Sequence, residues 1–218
     1  HFDNTCDFDP SSAVNELTSN GNQDFFVLKL DSLGQYQWAK SMGGIGNEIG
    51  YSIAVDNNGN VYSTGNFSST TDFDPGSGSF IIAPMGNNDI FLSKLDKDGN
   101  YVWVKTLGAI GSSCSGVSVI TDELNNIYLN GTFTGTVDFD PSAATLILSS
   151  AGFGDIIIAK YNSTGSMLWT KQISGSSYEY TEDMTIDKNN NILITGSSWS
   201  SDCDFDPSSA VFNITDPY

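Results

Sequence analysis

Four residues, Asp-Phe-Asp-Pro, occur four times in this chain, beginning at Asp7, Asp72, Asp138 and Asp204. The starts are separated by 65, 66 and 66 residues. A fixed period of that size constrains the chain to a repeat architecture. Each unit is then one supersecondary element that cannot bury its apolar side without its neighbours.

Laid on one another, the units agree outside that motif as well. Asp24, Asp89 and Asp155 open one segment, and Lys29, Lys94 and Lys160 follow five residues later. Trp38, Trp103 and Trp169 come once per unit, and Gly65, Gly131 and Gly196 close another segment. The segments are short, rich in Val, Ile, Leu, Tyr, Phe and Thr, and bounded by Gly, Asn and Asp, which is a strand signature. "DNNGN", "DKDGN" and "NSTGS" supply turn chemistry between paired strands. No stretch carries a capped 3.6-residue apolar period, so little helix is expected. Four short strands per unit describe one antiparallel sheet, and sheets stacked face to face around an axis bury both faces. The fold class expected is therefore all-β: four-stranded propeller-type blades, about three of them, with partial blades at both ends. A Trp and a Phe from each unit should fill the space between blades. The glycines should permit bulges or close backbone approach.

In motif-to-motif frame, residues 1–10 end a preceding blade, 11–75, 76–141 and 142–207 are three repeats, and 208–218 begin another. The strand order expected within a blade is "YSIAVD" innermost, then "VYSTGNF", "DIFLSKLD" and "YVWVKTLG". That order puts the Asp-Phe-Asp-Pro motif in the long link between second and third strands. Strand parity brings this link to the same face as the fourth-to-first link.

Composition narrows the function. Twenty-six acidic residues face eight Lys and no Arg, for a net charge of −18. Such a surface repels nucleic acid and anionic lipid. No apolar run reaches the ~20 residues of a membrane-spanning helix. The single His is His1, which leaves Ser-His or Cys-His catalysis without a base. Three Cys and one His make a poor zinc set. A carboxylate pair repeated in every unit is also unlike an enzyme, which concentrates its chemistry at one asymmetric site. A non-enzymatic role is expected.

The segments "GYSIAVDNNGNVYSTG" (50–65), "DIFLSKLD" (89–96) and "YVWVK" (101–105) resemble the bacterial β-propeller repeat labelled SBBP. The resemblance covers nearly the whole chain. It implies a blade of a large secreted or surface protein, and hence an extracellular or cell-surface location. Partners are then copies of the chain or further repeats, with no nucleic acid and no membrane insertion.

Two readings of the motif stand side by side. In one, Asp caps a turn, Phe packs and Pro ends a strand. In the other, the pairs Asp7/Asp9, Asp72/Asp74, Asp138/Asp140 and Asp204/Asp206 are calcium ligands, completed by Asp24, Asp89 or Asp155. No other cofactor is implied. Two roles follow: a structural or adhesive, filament-forming protein, or a module binding glycan or peptide. For the second, Tyr51, Tyr178, Tyr180 and Trp199 near the loops are the candidates to stack on sugar. Cys6 and Cys203 should occupy equivalent places on different blades.

Overall fold

The computed structural model describes residues 1–208 and 210–213. Those residues form strands and turns with no helix. A short hairpin of β1 (Thr5–Asp7) and β2 (Glu16–Thr18) precedes the pair β3 (Phe25–Leu30) and β4 (Tyr36–Gly44). Then come β5 (Glu48–Val55), β6 (Val61–Phe67), the short hairpin β7 (Thr71–Asp72) and β8 (Ile81–Ile82), β9 (Asp89–Leu95) and β10 (Tyr101–Leu107). The same series returns as β11 (Cys114–Thr121), β12 (Ile127–Phe133), β13 (Thr136–Asp138), β14 (Ile147–Ser149), β15 (Asp155–Tyr161) and β16 (Met167–Ile173). β17 (Glu179–Ile186) and β18 (Ile192–Ser198) follow.

Two sheets are complete blades, β5-β6-β9-β10 and β11-β12-β15-β16, antiparallel throughout. β3-β4 is the outer half of a blade and β17-β18 the inner half of another. The long strands thus amount to three blades, two whole and two halved. The sheets run out of phase with the motif frame, because bounds at 75, 141 and 207 fall between a blade's second and third strands.

The middle strands are covered on both faces: β9 is buried at every position. Outer strands are covered only in part: β10 is fully buried at Val104 and Leu107 alone. Inner strands of successive blades lie side by side and are tied by the Val119 amide donating to Ser52 Oγ (3.1 Å) and Ser118 Oγ donating to Asp183 Oδ1 (3.0 Å).

Each inner strand bulges at one place, Gly50/Ser52, Gly116/Ser118 and Thr181/Asp183. The recurring glycine of the second strand sits against that bulge. A Cβ on Gly65 would lie 1.8 Å from the Ile49 carbonyl oxygen, and one on Gly131 2.2 Å from that of Ser115. Only a residue without a side chain lets the strands approach so closely.

The hairpin turns have one construction. Asp56 Oδ1 accepts the amides of Asn58 and Asn60, both at 2.9 Å, and Oδ2 accepts Asn60 Nδ2. Asp96/Asn100, Asp122/Asn126 and Asp187/Asn191 repeat the arrangement. The Asn100 side chain, with the backbone amides, holds the Asp96 carboxyl below its ordinary range. The fourth turn residue takes the left-handed conformation: Gly59 and Gly99 at φ 80°, Asn125 and Asn190 at 61°. Asn is the one ordinary residue that tolerates it well, so the divergent segments around 116–126 and 180–190 keep the same turn.

Blades lean on each other through the expected aromatics. The Trp38 ring packs under Gly99 of the next blade's outer turn, and Trp103 under Gly165. The repeated lysines work alongside them: Lys29 Nζ donates to the Lys97 carbonyl and Lys94 Nζ to that of Ser163, each at 2.9 Å. These bonds cross between blades. Lys160 instead donates to Tyr128 Oη (2.6 Å) and pairs with Asp122 at 3.4 Å.

Candidate functional site

The Asp-Phe-Asp-Pro motifs sit in the small hairpins between second and third strands, as strand parity requires. Gly43 and Gly44 at the end of β4 pair with Asp72 and Thr71, and Ser174 bridges to Asp204. The motif of one blade therefore abuts the fourth-to-first link of the blade before it, on one shared face.

Every motif is wired alike. Oδ1 of the first Asp accepts the amide two residues on and the amide eight residues on: Asp9 and Asn15 for Asp7, Asp74 and Phe80 for Asp72. Asp138 does so with Asp140 and Leu146, and Asp204 with Asp206 and Phe212. The second Asp accepts the next amide but one, as Asp9 does from Ser11 and Asp140 from Ser142. These are Asx turns that close the hairpin. Burial works against the Asp72 charge, yet the amides of Phe80 and Asp74 and the Ser79 hydroxyl hold its carboxyl below the ordinary 3.8. Asp9, Asp140 and Asp206 are lowered by Ser11, Ser142 and Ser208.

The intervening Phe points inward. Phe73 is fully buried against Phe67 (ring centroids 5.3 Å), Phe91 (5.6 Å) and Phe25 (6.3 Å). Phe25 belongs to the preceding blade, so this ring joins two sheets. Phe139 packs edge-on to Phe133 at 4.9 Å.

Asp24, Asp89 and Asp155, the candidates to complete a calcium site, are buried at the start of each third strand. Asp89 accepts the amides of Met85 (2.7 Å) and Gly86 (2.9 Å), and Asp24 that of Asn20. Burial raises the carboxyls of Asp24 and Asp89. A Cβ on Gly43 or Gly108 would meet those carboxyls at 2.0 Å, which explains the small residue in the adjoining link. Among the described residues no three Asp, Glu, His or Cys side chains converge as a metal-holding group. Calcium needs six to eight oxygens. Each motif carboxylate commits its Oδ1 to backbone amides, which is the turn-capping role, and the described residues bring no further carboxylates to the motif to complete such a set.

Cys6 and Cys203 occupy the same place in the motif, and both are free thiols. Cys203 is buried against Ile156, Ile158 and Ile173 of the blade before it, while Cys6 is exposed.

Of the aromatics expected near the loops, the fold gathers three and leaves one apart. Tyr178 and Tyr180 stack at 5.6 Å with planes 8° apart, and Trp199 stands across both at 5.8 and 6.1 Å. Tyr51 lies in a different groove, beside Phe26 and Ile53. Phe153, which sequence reasoning missed, stacks on Tyr178 at 5.1 Å. Its signal was present: it precedes the opening Gly-Asp of a third strand, where the earlier units carry Asn22 and Asn87.

Repeated four-stranded antiparallel sheets, inner strands side by side and aromatics between them, are the blades of a β-propeller. The family model described as SBBP, Beta-propeller repeat, matches two stretches of the chain, residues 37–73 and 168–202. Both matches occupy the same phase, from an outer strand through the inner pair of the following blade. The chain is also similar to an uncharacterized WD repeat-containing protein of Acanthamoeba polyphaga mimivirus. The two are 27% identical over 202 residues, which is 84% of this chain and 14% of that protein.

Proposed function

We propose that the chain is a non-enzymatic structural and adhesive repeat segment of the cell exterior. It assembles with further units of the same kind by completing blades.

The observation that carries this reading is the state of the two half-blades. β12 is buried at all but one position, whereas its equivalent β18 is nowhere fully buried. β9 is buried throughout, whereas its equivalent β3 is buried at two positions. Among the described residues no third strand pairs with the edge of β18, and no second strand pairs with β3, a third strand by position. An unpaired edge is a template for another strand. Register supports the match. Complete blades set Tyr62 opposite Lys94 and Tyr128 opposite Lys160. Carried one unit along, Leu193 of β18 falls opposite Lys29 of a second unit. The same placement brings Trp169 to the turn at Gly34, as Trp38 meets Gly99.

Both ends carry the same hairpin, so one copy yields its slot. Cys203 is buried and Cys6 exposed, so the N-terminal copy is the looser of the two. The acidic surface, net charge −18, also supports a scaffold role.

The test is a register trap. In a Cys6→Ser background, Leu193→Cys is combined with Lys29→Cys and oxidised. A disulfide between chains on non-reducing gels is expected. Leu193→Cys with Phe26→Cys, three residues out of register, should cross-link far less. No cross-link, or equal cross-linking by both pairs, would overturn the reading.

A further inference from the structure

The symmetry of the repeat exposes one asymmetric feature. Hydrogen bonding defines equivalent positions at three inter-blade junctions. The amides of Ser68, Thr134 and Trp199 donate to the carbonyls of Asn47, Ser113 and Tyr178, and Gln23, Asn88 and Gly154 bridge to those same three residues. The residue before each bridge is Asn22, Asn87 or Phe153. Opposite Asn66, Thr132 and Ser197 stand Ile49, Ser115 and Tyr180. The first junction thus holds Asn22, Asn47, Ile49 and Ser68, and the second Asn87, Ser113, Ser115 and Thr134. The third holds Phe153, Tyr178, Tyr180 and Trp199. The fold does not need aromatics here, since two junctions form without them.

Nor does the core claim these rings. Phe153 is 64% exposed, Trp199 70% and Tyr180 37%. Phe153 and Tyr178 lie at a junction with both flanking sheets present, so a following unit is not what would cover them. Clustered exposed aromatics of this kind mark binding surfaces. The rings touch one another, at centroid distances of 5.1 to 6.1 Å, which leaves no cage for a cation between them. They form a wall. Phe153, Tyr178 and Tyr180 line one side of a groove of about 190 Å³, and Ser115, Thr132 and Thr134 line the other, while Trp199 packs on the two tyrosines.

We propose that this groove binds a neutral glycan. An apolar ring face lies on the aromatic wall, and its hydroxyls exchange hydrogen bonds with the opposing Ser and Thr side chains and the tyrosine hydroxyls. Charge selects against the other stacking ligands: a nucleobase brings phosphate, which a chain of net charge −18 without Arg repels. An uncharged sugar carries no such penalty. This site is independent of blade completion, because neither β3 nor the edge of β18 contributes to the groove.

The test writes the second junction onto the third. A quadruple variant, Phe153→Asn, Tyr178→Ser, Tyr180→Ser and Trp199→Thr, uses residues the fold already accepts at those positions. Wild type is run in native gels containing laminarin, xyloglucan, galactomannan or dextran. Retardation by at least one is expected, with a change in tryptophan fluorescence on titration. The variant should keep its circular dichroism spectrum and lose the retardation. Tyr180→Ala, at a ring that lines the groove away from the buried core, should weaken binding by about tenfold. No retardation in any of the four gels would overturn the proposal, as would retardation undiminished in the quadruple variant. A variant that instead changes the solution mass would assign the wall to contacts between copies, and also overturns it.

Discussion

Phe73 is the sharpest place to perturb the fold. Its ring is fully buried and touches Phe67 and Phe91 of its own blade and Phe25 of the one before. Phe73→Ala therefore leaves a cavity at the seam of two sheets, walled by strands that cannot collapse without breaking register. Truncations of that kind cost about 3–5 kcal/mol. Phe8, the same motif residue in the N-terminal hairpin, packs in a smaller cluster with Phe2, Phe26 and Ala39 and is 9% exposed. With an outer side open to relax, Phe8→Ala should lose little beyond the transfer term, about 1.5–3 kcal/mol. Against a typical domain stability of about 5–15 kcal/mol, the difference is measurable. Urea unfolding followed by tryptophan fluorescence reads it as the shift in midpoint multiplied by m. Because the ring couples adjacent blades, Phe73→Ala should also lower m, as blades begin to unfold separately. A cost for Phe73→Ala below about 1 kcal/mol, or no larger than that of Phe8→Ala, would refute the claim that the motif ring joins blades.

The outer-turn glycines separate backbone strain from blade contact. Gly34→Ala meets no neighbour within 4 Å at φ 77°, so it should cost only the left-handed penalty of about 1–2 kcal/mol. Gly165→Ala, whose Cβ would lie 2.9 Å from Lys105 Cε and 3.3 Å from the Trp103 ring, should cost more in the same urea assay. Acid should destabilise the protein. Asp56, Asp72, Asp96 and Asp122 all sit below the ordinary 3.8 when folded, so their contribution is present above that value and lost as pH falls through the folded values. Buried Asp24, Glu48 and Asp89 are raised and act oppositely, losing stability as pH rises through the window above their ordinary values. With both sets present, the urea midpoint should fall between about pH 4 and pH 2, and a rise there would contradict the turn assignments. Millimolar calcium or a chelator should leave the melting temperature unchanged, and a clear upward shift with calcium would show that the motif carboxylates bind an ion.

Much of this architecture was legible in the residues. The period, the strand order within a blade, the turns at Asp56–Asn60 and Asp96–Asn100, and the seating of Trp38 and Trp103 follow from spacing, β-branched runs and turn chemistry. What was hidden depends on neighbours distant in sequence. The carboxylates of Asp7, Asp72, Asp138 and Asp204 close onto amides eight residues away, which a two-residue spacing of acids does not reveal. Lys29 and Lys94 look like ion-pair partners in a chain so acidic, yet their partners are turn carbonyls 68 and 69 residues on. Phe153 reads as one more apolar residue in a loop. Only the junction geometry shows that it stacks on Tyr178.

Light scattering coupled to size exclusion, on the chain at rising micromolar concentration, tests most directly whether the two half-blades are parts of one blade. Particles heavier than the monomer are predicted, their share growing with concentration as the edge of β18 pairs with β3 of another copy. A monomer at every concentration would contradict it.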